Sequence, residues 1–129
     1  MELALSTYLA QCEGRPYAYG EHDCALFAAG AVLAMTGEDP AGPFRGRYCS
    51  RWSGDELLAA HGSDTLEAAI DGLFPQVAIG FAKRGDLAWH EGSVGVVAGR
   101  FALFVGEDMD GTARLIRVPR GAWEKAWAV

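Results

Sequence analysis

Apolar positions in the first half of the chain recur at helical spacing, whereas those in the second half come in short runs cut by turns. Leu5, Tyr8, Leu9 and Cys12 fall on one face of a helix over 2–12, which Gly14 and Pro16 close. Asp23 is placed to cap a second helix that runs to about Thr36 before Gly37. That stretch carries Leu26, Phe27, Val32, Leu33 and Met35 with alanines between them. It is apolar on every side, so it is expected to be the buried central helix. Residues 37–50, rich in Gly and Pro, read as a loop containing Arg45-Gly46-Arg47-Tyr48. Ser53-Gly54-Asp55-Glu56 reads as a capping box opening a short helix to His61. Asp64 or Thr65 caps a further helix with Leu66, Ala69, Ile70 and Leu73 on one face, stopped by Pro75.

The second half changes period. Residues 87–90, 93–98, 101–105 and 114–118 are short segments of strand type separated by turn signals, and 127–129 reads as a last strand. Glu91-Gly92 fits a two-residue hairpin turn, which would oppose His90 and Ser93. Glu107-Asp108-Met109-Asp110-Gly111 reads as an acidic hairpin turn rather than a calcium loop, since the distal ligands are missing. Helices followed by a meander of about five strands predict one α+β domain over 1–129 with an antiparallel sheet. No internal repeat, low-complexity run or linker interrupts it.

Composition narrows the classes. Of the 129 residues, 50% are hydrophobic and 22% charged, enough apolar surface for a packed core. The net charge of −6 argues against a nucleic-acid partner, which needs a basic footprint. No apolar run is long enough to span a bilayer, and the N-terminus lacks the basic region and cleavage site of a signal peptide. The chain is therefore expected to be made in the cytoplasm and to leave it, if at all, as part of a larger particle. The three cysteines contain no Cys-x-x-Cys pair, so neither a disulfide framework nor a zinc site is expected. No cofactor is expected either.

Cys24 is the candidate reactive group. It lies in Tyr17-Ala18-Tyr19-Gly20-Glu21-His22-Asp23-Cys24-Ala25-Leu26-Phe27, where a polar turn gives way to the apolar helix. Unpaired N–H groups and the positive dipole end at a helix start favour thiolate, the nucleophilic form. A thiol nucleophile also needs a base within reach. His22, two residues earlier, and His90, opposed to Ser93 across the hairpin, are the candidates. His61 ends a helix and is given no chemistry, and Cys12 and Cys49 are expected to be packing residues.

Three motifs in order carry a resemblance. Pro16-Tyr17-Ala18-Tyr19-Gly20 with Asp23-Cys24, then Lys83-Arg84-Gly85-Asp86-Leu87, then Ser93-Val94-Gly95-Val96-Val97-Ala98-Gly99 resemble the NlpC-type, papain-like cysteine peptidases that cut peptides of the bacterial cell wall. The likeness covers roughly residues 14–106. It implies Cys24 as nucleophile, with Tyr17, Tyr19 and Ser93 along the substrate groove. The sequence departs from that pattern where the chemistry is most demanding. Ser93 stands where the catalytic histidine is expected, Val105 falls near the place of the residue that orients it, and Ala25-Leu26 replaces a small Ser-Gly pair. More narrowly, His22-Asp23-Cys24-Ala25-Leu26-Phe27 with Arg45-Gly46-Arg47-Tyr48 resembles a short phage and prophage domain family encoded among tail genes.

The resemblance implies a tail-tip or assembly protein of a virion with a disabled site. Its partners would be other tail proteins, with a cell-wall peptide as a candidate ligand. Trp52, Trp89 and Trp123 are the candidate docking aromatics. The alternative is an active endopeptidase or amidase in which Cys24 attacks a carbonyl and His22 or His90 takes the proton. A third reading is a cytosolic domain that binds a small ligand in the old groove.

Overall fold

The computed structural model describes residues 2–107 and 113–129. Four helices, α1 (Glu2–Cys12), α2 (Cys24–Thr36), α3 (Arg51–Ala60) and α4 (Leu66–Leu73), precede the whole sheet. The strands are β1 (Gln76–Val77), β2 (Leu87–His90), β3 (Ser93–Val97), β4 (Phe101–Glu107), β5 (Ala113–Pro119) and β6 (Lys125–Trp127). They form one antiparallel sheet in the order β1-β6-β2-β3-β4-β5. The α+β expectation holds, with six strands rather than five. The chain end does pair, but two residues earlier than the pattern suggested, and β6 inserts between β1 and β2. The acidic turn expected over 107–111 lies outside the described residues except for Glu107.

Sequence explains the helix ends. The Asp23 carboxylate accepts from the Leu26 N–H, and Gly37, at φ 82°, closes α2 in the left-handed region. Thr65 rather than Asp64 caps α4, its hydroxyl accepting from Ala68. α3 starts earlier than the Ser53–Glu56 pattern predicts. Ser50 is its cap, and Ser53 answers as the third helical residue, each hydroxyl accepting from the other's backbone N–H at 3.1 Å. A serine here does the work that the pattern reserves for Glu or Gln.

The sheet divides the core in two. On the helix side, Phe27, Ala28 and Ala31 of α2 pack with Leu5, Leu9, Val94, Val96 and Trp127. On the far side, Ala88, Val97, Phe104, Val118 and Trp123 form a second core, covered not by an α-helix but by the short 3-10 turns at Ile79–Phe81 and Arg120–Ala122. Arg120 closes that side: its guanidinium donates to the carbonyls of Ile79, Ala82 and Gly99 at 2.6, 3.0 and 2.6 Å and lies over the Trp123 ring. The residues of α2 from Leu26 to Val32 are all buried, because a third cluster with Ala41 covers the side away from the sheet. The all-apolar pattern of α2 thus reflects packing on opposite sides.

The turn at 83–86 fixes how the chain enters the sheet. Asp86, 2% exposed, accepts from the Lys83 N–H, the Lys83 ammonium and the Val129 N–H. One buried carboxylate therefore holds both the turn before β2 and the segment after β6.

Candidate functional site

Cys24 is the first residue of α2 and half-buried. The turn before it is set by a short pairing of Ala18 with His22, in which each N–H donates to the other's carbonyl at 2.9 and 2.7 Å. Gly20 sits at φ 83°, and a Cβ there would run into the Tyr48 carbonyl, so only glycine serves. The Gly46 N–H donates to the Gly20 carbonyl at 2.8 Å. Asp23, 3% exposed, accepts from the Gly20 N–H at 3.0 Å, from Leu26 at 2.9 Å and from the Tyr48 hydroxyl. The His-Asp-Cys and Arg-Gly-Arg-Tyr segments, far apart in sequence, thus interlock at the start of α2.

A groove of about 640 Å³ opens beside the sulfur. Cys24, Tyr17, Tyr19, Tyr48, Trp89 and Ser93 are among its lining residues. Tyr17 and Tyr19 meet edge to face at 5.1 Å and remain about one-third exposed, forming an aromatic lip. The residues expected along a substrate groove, Tyr17, Tyr19 and Ser93, are therefore brought together with Cys24.

The histidines are not. His90 opposes Ser93 in the ladder, and the turn between them has φ 47° at Glu91 and 80° at Gly92, a left-handed pair that suits a tight hairpin. The two side chains nevertheless serve different surroundings. The Ala122 carbonyl, which can only accept, takes the His90 Nδ1–H at 2.9 Å, and the ring packs edge-on to Phe104 of the far-side core. His22 turns the other way, 2% exposed against Phe27, and lines a separate cavity between α1 and α2. His61 is held by the Leu57 carbonyl and the Phe44 ring. None of the chain's three histidines lines the groove that holds Cys24.

Electrostatics corrects a second expectation. Burial pushes the Cys24 thiol above its ordinary value, and the Asp23 carboxylate adds to the rise. The Val94 and Ala25 N–H groups and the Ser93 hydroxyl pull the other way and do not prevail. The helix start is present, but desolvation of the thiolate outweighs it. Alkylation of Cys24, followed peptide by peptide with iodoacetamide and mass spectrometry, should accordingly be slower than that of free cysteine at neutral pH. Its rate profile should have a midpoint displaced to the alkaline side; a midpoint on the acid side would contradict this reading. His22 is shifted down, by burial first and Arg15 second, with Asp23 opposing.

Other expectations also change. Cys12 is buried as expected, whereas Cys49 is exposed and is not a packing residue. Of the three candidate docking tryptophans, Trp52 is 72% exposed, Trp89 is half-buried, and Trp123 is buried with its Nε1–H on the Val118 carbonyl. No cluster of three or more metal-ligating side chains occurs among the described residues. No helix among them is long and apolar enough to cross a membrane. The Tyr48–Asp23 bond is the site feature that sequence reasoning missed; the only signal for it was the co-occurrence of the two motifs.

Fold and site together define an α+β domain with a cysteine at the start of a buried helix, its thiol pushed up by burial, facing an aromatic-lipped groove. The chain belongs to the family described as Domain of unknown function (DUF6950), whose model matches residues 1–129. Neither the curated proteins nor the solved structures contain a match to it.

Proposed function

We propose that this chain is an NlpC-like domain whose cysteine-peptidase site is disabled, and that it serves as an assembly or docking component at the tip of a phage tail. The observation that carries the disabled site is the company of Cys24. Ser93 shares its groove and acts on its thiol, while all three histidines lie elsewhere. A serine hydroxyl does not take a proton from a thiol near neutral pH, so attack on a carbonyl lacks its base. The tail assignment rests on the two sequence motifs that interlock here, His22–Phe27 and Arg45–Tyr48. The groove is retained as a cleft of peptide size, and a cell-wall peptide is its candidate ligand.

The competing reading, an endopeptidase or amidase acting during infection, draws on one observation: Cys24 opens into that groove at the start of a helix whose N–H groups could hold an oxyanion. Tail association tests the preferred reading. A tagged copy expressed during phage assembly should sediment with purified tails and be retained through salt washes. A copy found only as free monomer, absent from intact particles, would overturn it.

A further inference from the structure

The lip of the Cys24 groove and His22 belong to one turn. Ala18, between the two lip tyrosines, pairs with His22 through N–H bonds of 2.9 and 2.7 Å, and its carbonyl also accepts from the Glu21 N–H at 3.1 Å. Asp23, next after His22, caps α2 and holds the Gly20 N–H. A displacement of His22 is therefore passed through Ala18 to Tyr17 and Tyr19.

The His22 ring is packed for its neutral form. It is 2% exposed and meets Phe27 edge-on at 6.1 Å, and its Nε2 is sealed from solvent with no hydrogen-bond partner among the described residues. An imidazolium there would bury a charge and leave a donor N–H unbonded. The surrounding groups do little to offset that. α2 carries no charged residue from Cys24 to Thr36. From α1, Tyr8 lines the adjoining cavity and bonds Cys12, and burial raises both above their ordinary values, so neither supplies a negative charge. Arg15, beyond α1, opposes a second positive charge, and Arg45, from the loop after α2, is cationic too and paired with Asp39. Asp23 favours the charged ring, but its oxygens already accept from Gly20, Leu26 and Tyr48. Glu21 is exposed to solvent. Burial first and Arg15 second thus hold the ring neutral to below its ordinary value.

A charged ring has a place to go. His22 lines a cavity of about 740 Å³ between α1 and α2, separate from the Cys24 groove. That cavity reaches solvent at Leu3 and Leu33, which are 80% and 41% exposed.

We propose that His22 is an acid-sensitive latch on the Cys24 groove. On protonation its ring leaves Phe27 for the α1–α2 cavity, the pairing with Ala18 breaks, and the Tyr17–Tyr19 lip loosens beside Cys24. The latch regulates the groove of the proposed function and rests on that groove being the binding cleft, not on what fills it. The released turn takes the proton near the ordinary imidazole value of about 6.5, and the packed turn only at lower pH. Above about pH 6.5 both are neutral and the latch is at full strength. As pH falls below that, the released form gains up to about tenfold per pH unit over the packed form.

The test is an NMR titration of the full chain, with isotope-labelled histidine and tyrosine, from about pH 8 to pH 5. The His22 ring should titrate below about pH 6.5, and the Tyr17 and Tyr19 rings should change with the same midpoint. In His22→Phe the tyrosine step should vanish and the lip stay closed, whereas His61→Gln, at an exposed position, should leave it unchanged. Arg15→Gln removes the like charge and should move the His22 and tyrosine midpoints together to higher pH. Tyrosine rings indifferent to pH, or a tyrosine step that persists in His22→Phe, would overturn the latch. Either result would leave the disabled site, which digestion assays judge, untouched. Should His22→Phe not fold, Arg15→Gln decides: a tyrosine midpoint that stays behind while that of His22 moves contradicts the proposal.

Discussion

Asp23→Ala is expected to destabilise the fold by about 3–5 kcal/mol, the sum of a lost helix cap and two buried donors left without an acceptor. The carboxylate serves the Leu26 and Gly20 N–H groups and the Tyr48 hydroxyl from a position only 3% exposed. Against a total stability on the order of 5–15 kcal/mol, such a loss leaves little folded protein. Urea unfolding should show a large fall in midpoint with an unchanged slope. Asp23→Asn should fall between, because its oxygen can keep the Leu26 cap while its amide group faces the Gly20 N–H, donor against donor. Tyr48→Phe removes one donor, so the cost of Asp23→Ala should shrink by roughly 1 kcal/mol in that background. A loss below about 1 kcal/mol for Asp23→Ala alone would show that the motif interlock does not hold the start of α2.

The same bond gives a pH dependence. Burial first, and then Asp23, push the Tyr48 hydroxyl above its ordinary value. The unfolded chain releases this proton near pH 10 while the folded chain keeps it. The contribution to stability is therefore complete below about pH 10 and declines at higher pH, and Tyr48→Phe should flatten that decline.

Trp127→Ala is the second large effect, expected at about 3–5 kcal/mol for a fully buried aromatic. Trp127 is 0% exposed, lies opposite both Gln76 and Leu87, and donates its Nε1–H to Asp71 at 2.9 Å. Its ring meets Trp89 edge to face at 6.0 Å. Its loss should loosen the β1–β6–β2 side more than β4 and β5, which pair along seven residue pairs of their own. Hydrogen exchange would show this as protection lost first at β1, β2 and β6. Uniform loss across the sheet would mean that β6 is no separate support. Trp127→Phe should cost less, since most of the buried ring is kept.

What the sequence made legible was local. α2 followed from unbroken apolar composition behind an Asp cap, and the hairpin at Glu91-Gly92 from its turn residues. β1 and β6 were harder because two and three residues carry no period, and their pairing depends on Ala128 and Val129 meeting Pro75 and Asp86, about fifty and forty residues away. The capping box at 53–56 had the right form, but Ser50 and Ser53 formed an equivalent one a turn earlier. Cys24, Tyr17, Tyr19 and Ser93 were legible as one groove because strand and helix order bring them together. The histidines were not, since a ring's direction is set by what tethers it: Ala122 for His90, and the α1–α2 contact for His22. The raised Cys24 thiol was likewise invisible, because burial is a property of the packed site and not of a helix start.

On the proposed reading, Cys24 marks a groove without a working nucleophile. Digestion of purified cell-wall peptides, followed by mass spectrometry, tests it most directly when wild type and Cys24→Ala are compared at equal concentration. The disabled-site account predicts the same product release from both, at the level of buffer alone. Product that appears with wild type and disappears with Cys24→Ala would contradict it and establish the peptidase.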